Sequence, residues 1–159
     1  MTYLYHKWFF FLDKEDEINL SDNPYTYFKT YFEESLSVNI SKRYDMNDEN
    51  GIYYHDVISM DSIKEYHKLN HLNKPMFTVK HFKNTVILES FDNQILKSTT
   101  IFNFDDNKKQ LSSIVLNENK KLEEYREVFY ENHRELKEKI VFKTDYSWQV
   151  HEEDLMDQI

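Results

Sequence analysis

The chain has 159 residues, one glycine, no cysteine and a formal net charge of −9. This length suits one domain with its own core, and the absence of cysteine excludes disulfides, thiolate nucleophiles and cysteine-ligated zinc. One glycine is too few for the glycine-rich loops with which P-loop and dinucleotide-binding proteins hold phosphates. The acidic excess disfavours binding to nucleic acid or anionic membranes, because both attract clustered lysine and arginine.

The N-terminal part of the chain is predicted to form a buried strand, an acidic loop and a helix. The strand covers roughly 3–12 and the loop 13–22, and Ser21–Pro24 then combines capping residues with a proline suited to the first helical turn. Apolar residues recur at helical spacing after that, at Tyr25, Phe28, Phe32 and Leu36. This spacing predicts a helix that packs against a sheet.

The only glycine of the chain lies between two predicted strands, over 38–45 and 52–60. Gly51 directly follows an asparagine, and this order predicts a hairpin turn with a positive φ at the glycine. An Asp-Ser pair at 61–62 then caps a predicted short second helix, which ends before Pro75.

The second half of the chain is predicted to contain a meander of strands and a long helix. Polar turns separate four predicted strands, over 76–82, 85–91, 95–104 and 111–116. A third helix is predicted from about 118 to 139, because apolar residues form one stripe there. That stripe consists of Leu122, Tyr125, Phe129, Leu136 and Ile140. A last strand over 141–150 precedes an acidic tail, 151–159, that is expected to fray.

These elements predict a single domain over 1–159 of the α+β class. We expect a mainly antiparallel sheet of six or seven strands with three helices packed on it. No internal repeat or linker divides the chain.

No catalytic or metal-binding constellation is predicted. His67 and His71 are four residues apart on the predicted second helix, but no third ligand accompanies them. No serine lies in a nucleophile elbow, and no glycine is placed to shape an oxyanion loop. We therefore expect a protein that is not an enzyme and that uses neither a metal nor a cofactor.

Two acidic regions predict a surface for a partner protein. On the predicted long helix, glutamates at four-residue spacing repel one another, so local stability alone does not favour them. Around the predicted hairpin, tyrosines stand beside carboxylates, a combination typical of recognition surfaces. The predicted partner-binding residues are Asp48, Glu49, Tyr53, Tyr54, Glu123, Glu127 and Glu131.

The expected partner is a basic protein surface, and no direct contact with nucleic acid or membrane is predicted. A protein that imitates duplex DNA needs a dense track of carboxylates spaced like phosphates. Here 29 acidic residues are diluted by 20 lysines and arginines and lie in separate segments. A conventional interface, with aromatic anchors ringed by carboxylates, fits this composition better.

In length, acidic balance and glycine-poor, Lys/Asn/Tyr/Phe-rich usage, the chain resembles the type II-A anti-CRISPR proteins. The segments that carry the resemblance are DNPYTYFKTYFEE and NENKKLEEYREVFYENHRELKEK. The resemblance implies a phage-encoded inhibitor that acts stoichiometrically on an RNA-guided effector nuclease in the bacterial cytoplasm. Because the acidic residues are dispersed, we expect it to grip a nuclease domain and block cleavage, a step separate from DNA binding.

Three other classes of protein remain open. An immunity protein that neutralises a toxin, often itself a basic nuclease, would use the same combination of acidic and aromatic residues. A metal- or carboxylate-dependent enzyme would lose activity on His67→Ala. A structural subunit would form a large homo-oligomer. The oligomeric state is not predicted.

Overall fold

The computed structural model describes residues 1–131, 134–143 and 147–154. These residues form eleven strands, one α-helix and two short 3-10 turns, and the strands lie in a single sheet in chain order from β1 to β11. The chain divides into two units. Unit 1 comprises Met1–His81 and Glu89–Leu96, and unit 2 comprises Phe82–Leu88 and Lys97–Ile159.

Unit 1 contains a mixed sheet with one crossover helix. Its elements are β1 Leu4–His6, β2 Thr26–Glu33, β3 Val38–Asp45, β4 Asp48–His55, α1 Met60–Asn70 and β5 Met76–His81. β1 to β4 are antiparallel neighbours, whereas β5 runs parallel to β4, so α1 supplies the crossover that a parallel pair requires. The predicted second helix is therefore confirmed as α1. Among the described residues, no helix combines the length and apolar character needed to cross a membrane.

The sheet of unit 1 is covered on both faces. On one face, Ile63 of α1 belongs to a buried cluster with Ile52 and Tyr54. On the other face, Phe9 of the irregular N-terminal segment stacks on Tyr53 with ring centroids 5.2 Å apart. Because successive residues of a strand point to opposite faces, the neighbouring tyrosines of β4 are buried in two different layers.

The prediction of an α+β fold with six or seven strands and three helices is wrong, because the described residues form eleven strands and one α-helix. Two of the predicted helices are strands. The first lies at β2, where aromatic and threonine residues favour a strand and both faces are buried, with Phe28 2% and Tyr31 9% exposed. The other lies in the hairpin of two strands that spans 122–143. Residues four apart, such as Tyr125 and Phe129, share one face of a strand as well as of a helix. Their spacing therefore does not distinguish the two structures.

The predicted turn at Gly51 is also wrong. The β3–β4 hairpin turns at Met46 and Asn47, whose φ angles are 49° and 69°, and Asp45 lies opposite Asp48 across the turn. Asparagine adopts this left-handed conformation more readily than other residues with a side chain. Gly51 lies inside β4 and has no positive φ.

Gly51 is needed instead for the space that its missing side chain leaves. A Cβ at this position would lie 3.1 Å from Cε2 of Phe77 and 3.3 Å from Cε2 of Tyr53, and these two rings stack at 4.4 Å. We expect Gly51→Ala to lower the free energy of unfolding by about 1–3 kcal/mol, because the stacked rings must shift. Urea denaturation beside Asn39→Ala, an exposed position of β3, tests this. A Gly51→Ala protein at least as stable as that control would contradict it.

Unit 2 is built from antiparallel strands. The remaining strands are β6 Thr85–Asp92, β7 Ile95–Phe104, β8 Gln110–Asn117, β9 Leu122–Glu131, β10 Arg134–Lys143 and β11 Trp148–Asp154; the first two contribute residues to both units. From β7 to β11 each strand pairs antiparallel with the next. Arg126 of β9 forms an ion pair with Glu138 of β10 at 3.1 Å.

The strands predicted over 76–82, 85–91, 95–104 and 111–116 are confirmed as β5 to β8. The predicted last strand over 141–150 is wrong in its bounds, because its two ends belong to β10 and β11. In the tail that was expected to fray, His151 to Asp154 pair with β10. Residues 144–146 and 155–159 lie outside the described residues.

Candidate protein-binding surface

Tyr53 and Tyr54, two of the predicted partner-binding residues, lie in the core of unit 1. Their exposed fractions are 3% and 0%. The Tyr54 hydroxyl donates a hydrogen bond to Nδ1 of His67 at 2.9 Å, because Nε2 of the same ring donates to the Lys74 carbonyl oxygen at 2.8 Å. Burial raises the pKa of Tyr54 and lowers that of His67. Both tyrosines therefore pack within the core of unit 1, and their side chains are not exposed for contact with a partner protein.

The same geometry gives His67 a structural role. Both of its ring nitrogens are occupied by bonds within the protein, so neither is available to ligate a metal. The His67–His71 pair, which the sequence placed on one helix face, has its ring centroids 5.8 Å apart. Through its bond to Tyr54, His67 links the C-terminal part of α1 to β4.

A buried serine–histidine contact lies on the opposite face of this sheet and carries no signal in the sequence. Ser41 Oγ lies 2.7 Å from Nε2 of His55 and 2.6 Å from Oγ1 of Thr30. This is the spacing of a nucleophile and its general base. Ser41 and His55 are only 0% and 2% exposed, however, so no substrate can reach them. The contact is a polar part of the core, formed by residues of three different strands.

This buried histidine predicts that unit 1 loses stability in acid. Burial, and next the charges of His81 and His6, hold the pKa of His55 well below its ordinary 6.5. As the pH falls below about 6.5 the unfolded chain therefore binds a proton that the folded chain does not. Stability is complete above that pH and declines towards the pKa of the folded state. We expect the midpoint of urea unfolding to be lower at pH 5.5 than at pH 7.5, by more than about 0.3 M.

His55→Gln supplies the control, because it removes the titrating group and keeps a polar side chain beside Ser41. Its unfolding midpoint should depend less on pH than that of the parent protein over the same interval. A parent protein whose midpoint does not change would contradict the assignment of acid sensitivity to His55.

The glutamates predicted on the long helix lie on β9 of unit 2. Glu123 is exposed, at a β-bulge where the register with β8 shifts. Glu127 lies opposite Lys139 of β10 and accepts a hydrogen bond from the Tyr125 hydroxyl, which raises the pKa of Tyr125. Glu131 ends β9, and its side chain lies outside the described residues. Of these three predicted glutamates, only Glu123 has a described side chain that is exposed.

The two hairpin carboxylates of unit 1 differ from each other. Glu49 is half-buried and accepts a hydrogen bond from the Tyr44 hydroxyl at 3.3 Å, with Lys42 Nζ at 3.7 Å. Asp48 is exposed, beside the turn. Glu49 therefore contributes to the fold, whereas Asp48 is available to a partner.

Large apolar side chains are exposed beside this turn. Tyr25 is 67% and Met46 68% exposed, and the Met46 amide donates to the Tyr25 carbonyl oxygen at 2.8 Å. Tyr25 also lines a groove of about 530 Å³, and Trp8, which is 55% exposed, belongs to the same lining. Its lining is completed by Lys7, Ile18, Asn19, Asp22, Pro24, Thr26 and Arg43. We call Trp8, Asp22, Tyr25, Met46 and Asp48 together the hairpin surface.

No family model, curated protein or solved structure matches this chain. Its function must therefore be inferred from the chemistry of its own surfaces. Exposed apolar side chains that lie near one another mark interaction sites. In unit 1, Tyr25 and Met46 are joined by a backbone hydrogen bond, and Tyr25 and Trp8 line one groove.

Proposed function

We propose that the chain is a protein-binding inhibitor that contacts its partner through the hairpin surface. The observation that carries the proposal is the exposure of three large apolar side chains, of which Tyr25 and Met46 lie at the β3–β4 turn and Tyr25 and Trp8 line one groove. Aromatic and methionine side chains are enriched at protein interfaces, where a polar rim excludes water from them. Asp22 and Asp48, both exposed, supply such a rim.

The charge of the chain favours a basic partner. The formal net charge is −9, and carboxylate oxygens of Asp13, Glu15 and Asp16 lie within 4.8 Å of one another in the N-terminal segment that also carries Trp8. A concentration of negative charge near an apolar contact accelerates association with a positively charged protein and discriminates against acidic ones. Nucleic-acid enzymes present such basic surfaces, because they bind phosphates.

Within this class, the resemblance to type II-A anti-CRISPR proteins names the partner to test first, a type II CRISPR effector nuclease in the bacterial cytoplasm. Along the sequence, the 29 acidic residues are interspersed with 20 lysines and arginines and lie in separate segments, unlike the regular phosphates of a DNA backbone. We therefore propose that the chain grips a nuclease domain. Such a grip would block the docking step that licenses cleavage, which is distinct from binding of the target DNA.

The test is a cleavage assay with a purified type II effector nuclease, its guide RNA and a target DNA, in which DNA binding is measured in parallel. We expect cleavage to stop at about one inhibitor per nuclease while the target remains bound, since the docking step follows binding. Complete cleavage at a large molar excess of the chain would contradict inhibition of that nuclease. Loss of DNA binding would contradict the proposed grip on a nuclease domain.

Reversal of the charge of Asp48, the exposed carboxylate beside the hairpin turn, should slow association with the partner protein. We expect Asp48→Lys to reduce the association rate constant about two- to fivefold at low salt, and less at high salt where charges are screened. Surface plasmon resonance at two salt concentrations measures this. Glu65→Lys, a change at another exposed carboxylate on α1, is the matched control, and an equal effect of the two substitutions would contradict a specific role for Asp48.

A further inference from the structure

One face of the strands β7 to β11 carries an unbroken row of apolar side chains. The register pairs Ile101 of β7 with Ile114 of β8, and Ile114 with Tyr125 of β9. Tyr125 in turn lies opposite Val141 of β10, and Val141 lies opposite Val150 of β11. Residues directly opposite one another on neighbouring strands point to the same face of the sheet. We call these five residues the apolar row.

No second layer covers this row within the described residues of unit 2. Every described helix or strand of that unit is a strand of the one sheet. The four residues of the row on β7 to β10 are half-buried, and Val150 is 61% exposed. Domains normally bury the apolar face of a sheet against a second layer of structure. The apolar row therefore presents a face to which a partner can supply that layer.

A polar row lies beside the apolar row on the same face. Lys139 of β10 lies between Glu127 and Glu152, its neighbours on the two adjacent strands, so charges of opposite sign alternate there. Ser112 and Asn103 continue this polar row on β8 and β7. An apolar strip with a polar margin is the usual construction of a protein interface.

The opposite face of these strands is charged at its centre. On β9, Glu124 and Arg126 are the sequence neighbours of Tyr125, so their side chains point away from the apolar row. Arg126 forms ion pairs there with Glu124 at 3.6 Å and with Glu138 at 3.1 Å. Charged residues are depleted at the cores of interfaces. The face that carries the apolar row is thus the one suited to a contact that excludes water.

Area and composition favour a second copy of the chain as the occupant of this face. With strands about 4.8 Å apart and a rise of about 3.3 Å per residue, five strands of about eight residues present roughly 600 Å² on one face. Two such faces bury about 1,200 Å² together, which reaches the range of stable interfaces. Interfaces between identical subunits are also more apolar than those with transient partners, and the apolar row contains no charged residue.

We propose that the chain forms a dimer in which the apolar rows of two copies pack against each other. A two-fold contact brings the same patch of both subunits together, so an apolar row meets an apolar row and Tyr125, at its centre, lies near its own counterpart. The dimer goes beyond the proposed function, because it assigns a contact to unit 2 that the hairpin surface of unit 1 does not provide.

Measurement of the molar mass in solution tests this proposal without any nuclease. We expect size-exclusion chromatography with light scattering to give the mass of two chains at about 100 μM, a concentration at which a dimer of micromolar affinity is assembled. A dilution series followed by analytical ultracentrifugation gives the dissociation constant. Val150→Lys places two ammonium groups in each interface, so we expect it to raise that constant at least about tenfold.

Gln149→Lys is the matched control. Gln149 is exposed, precedes Val150 on the same strand and therefore points to the opposite face. We expect this substitution to leave the dissociation constant within about twofold of the parent value, as for a residue outside an interface. Because both positions are exposed on the last strand of the sheet, neither change should alter the circular dichroism spectrum.

Three results would overturn the proposal. A parent protein with the mass of one chain at about 100 μM would exclude a dimer of micromolar affinity and leave the proposed function unaffected, and this measurement needs no variant. A dimer that Val150→Lys weakens no more than Gln149→Lys would exclude the apolar row as its interface. A monomer in which the effector nuclease slows hydrogen exchange over β8 and β9 would assign this face to the nuclease in place of a second copy.

Discussion

Tyr54→Ala is expected to lower the free energy of unfolding of unit 1 by about 3–5 kcal/mol, the usual result of removing a buried aromatic side chain. Tyr54 is 0% exposed and lies in the cluster that joins β4 to α1. Its ring meets that of Tyr66 edge-on at 6.3 Å, and its hydroxyl bonds to His67. The substitution removes the ring, leaves a cavity and breaks the bond to the helix. Urea denaturation followed by circular dichroism measures the loss.

Tyr54→Phe separates the contribution of the ring from that of the hydroxyl. It keeps the ring and removes only the hydrogen bond to His67, so we expect a loss of about 1–2 kcal/mol, since a buried nitrogen is left without its partner. A Tyr54→Ala protein within about 1 kcal/mol of the parent would contradict the central position of this ring in the core, since cavity formation alone exceeds that value.

Combined replacement of Trp8 and Tyr25 by alanine is expected to weaken inhibition of the effector nuclease at least about 30-fold. Each side chain is a large exposed apolar group on the hairpin surface, and removal of a central aromatic anchor typically costs about 2 kcal/mol or more of binding free energy. Because both are more than half exposed in the free chain, their loss should leave the fold nearly unchanged. Dose–response curves for cleavage, at constant nuclease concentration, measure the effect.

Leu69→Ala combined with Ile58→Ala is the matched control for this double variant. Both residues are exposed apolar side chains of the same unit, 75% and 78% exposed, and lie outside the hairpin surface. We expect their replacement to leave inhibition within about twofold of the parent, as for most residues outside a hot spot. Equal losses in the two double variants would indicate that apolar exposure in general, and not the hairpin surface, governs binding.

The sequence predicts β5 to β8 and α1 within a few residues because short polar turns separate their apolar runs. At the predicted turns of the meander, Asn93 and Gln94 adopt positive φ angles, as a hairpin between β6 and β7 requires. Ser59 precedes α1 and caps it, because its side chain accepts a hydrogen bond from the Ser62 amide. The sequence predicted the cap two residues later, at the Asp-Ser pair 61–62. Local signals of this kind depend on neighbouring residues only and can therefore be recognised in a sequence.

The predictions of helices at β2 and at 118–139 are wrong because tertiary pairing, which the local sequence does not show, decides the structure there. A spacing of four residues brings side chains to one face in both a helix and a strand, and only tertiary pairing decides between them. At β2, the apolar positions Phe28 and Tyr31 are buried on opposite faces by different elements. A strand covered on both sides shows no clean alternation, and its pattern can then imitate a helix.

The candidate surface was predictable only in part. Asp48 beside the hairpin turn is exposed, as the sequence indicated, whereas Tyr53 and Tyr54 are buried. Conversely, Trp8 was expected in a buried strand and Tyr25 on a helix facing the sheet, yet both are exposed. Whether an aromatic residue is buried depends on which distant segment covers it, and no local signal in the sequence carries that information.

Hydrogen–deuterium exchange tests most directly whether the hairpin surface binds a protein partner. The chain is measured alone and in complex with the type II effector nuclease, and amide protection is compared along unit 1. We predict slower exchange in the complex over residues 7–9, 18–26 and 43–49, with α1 (Met60–Asn70) unchanged. Protection confined to α1, or no change anywhere in unit 1 on addition of the nuclease, would contradict binding through the hairpin surface.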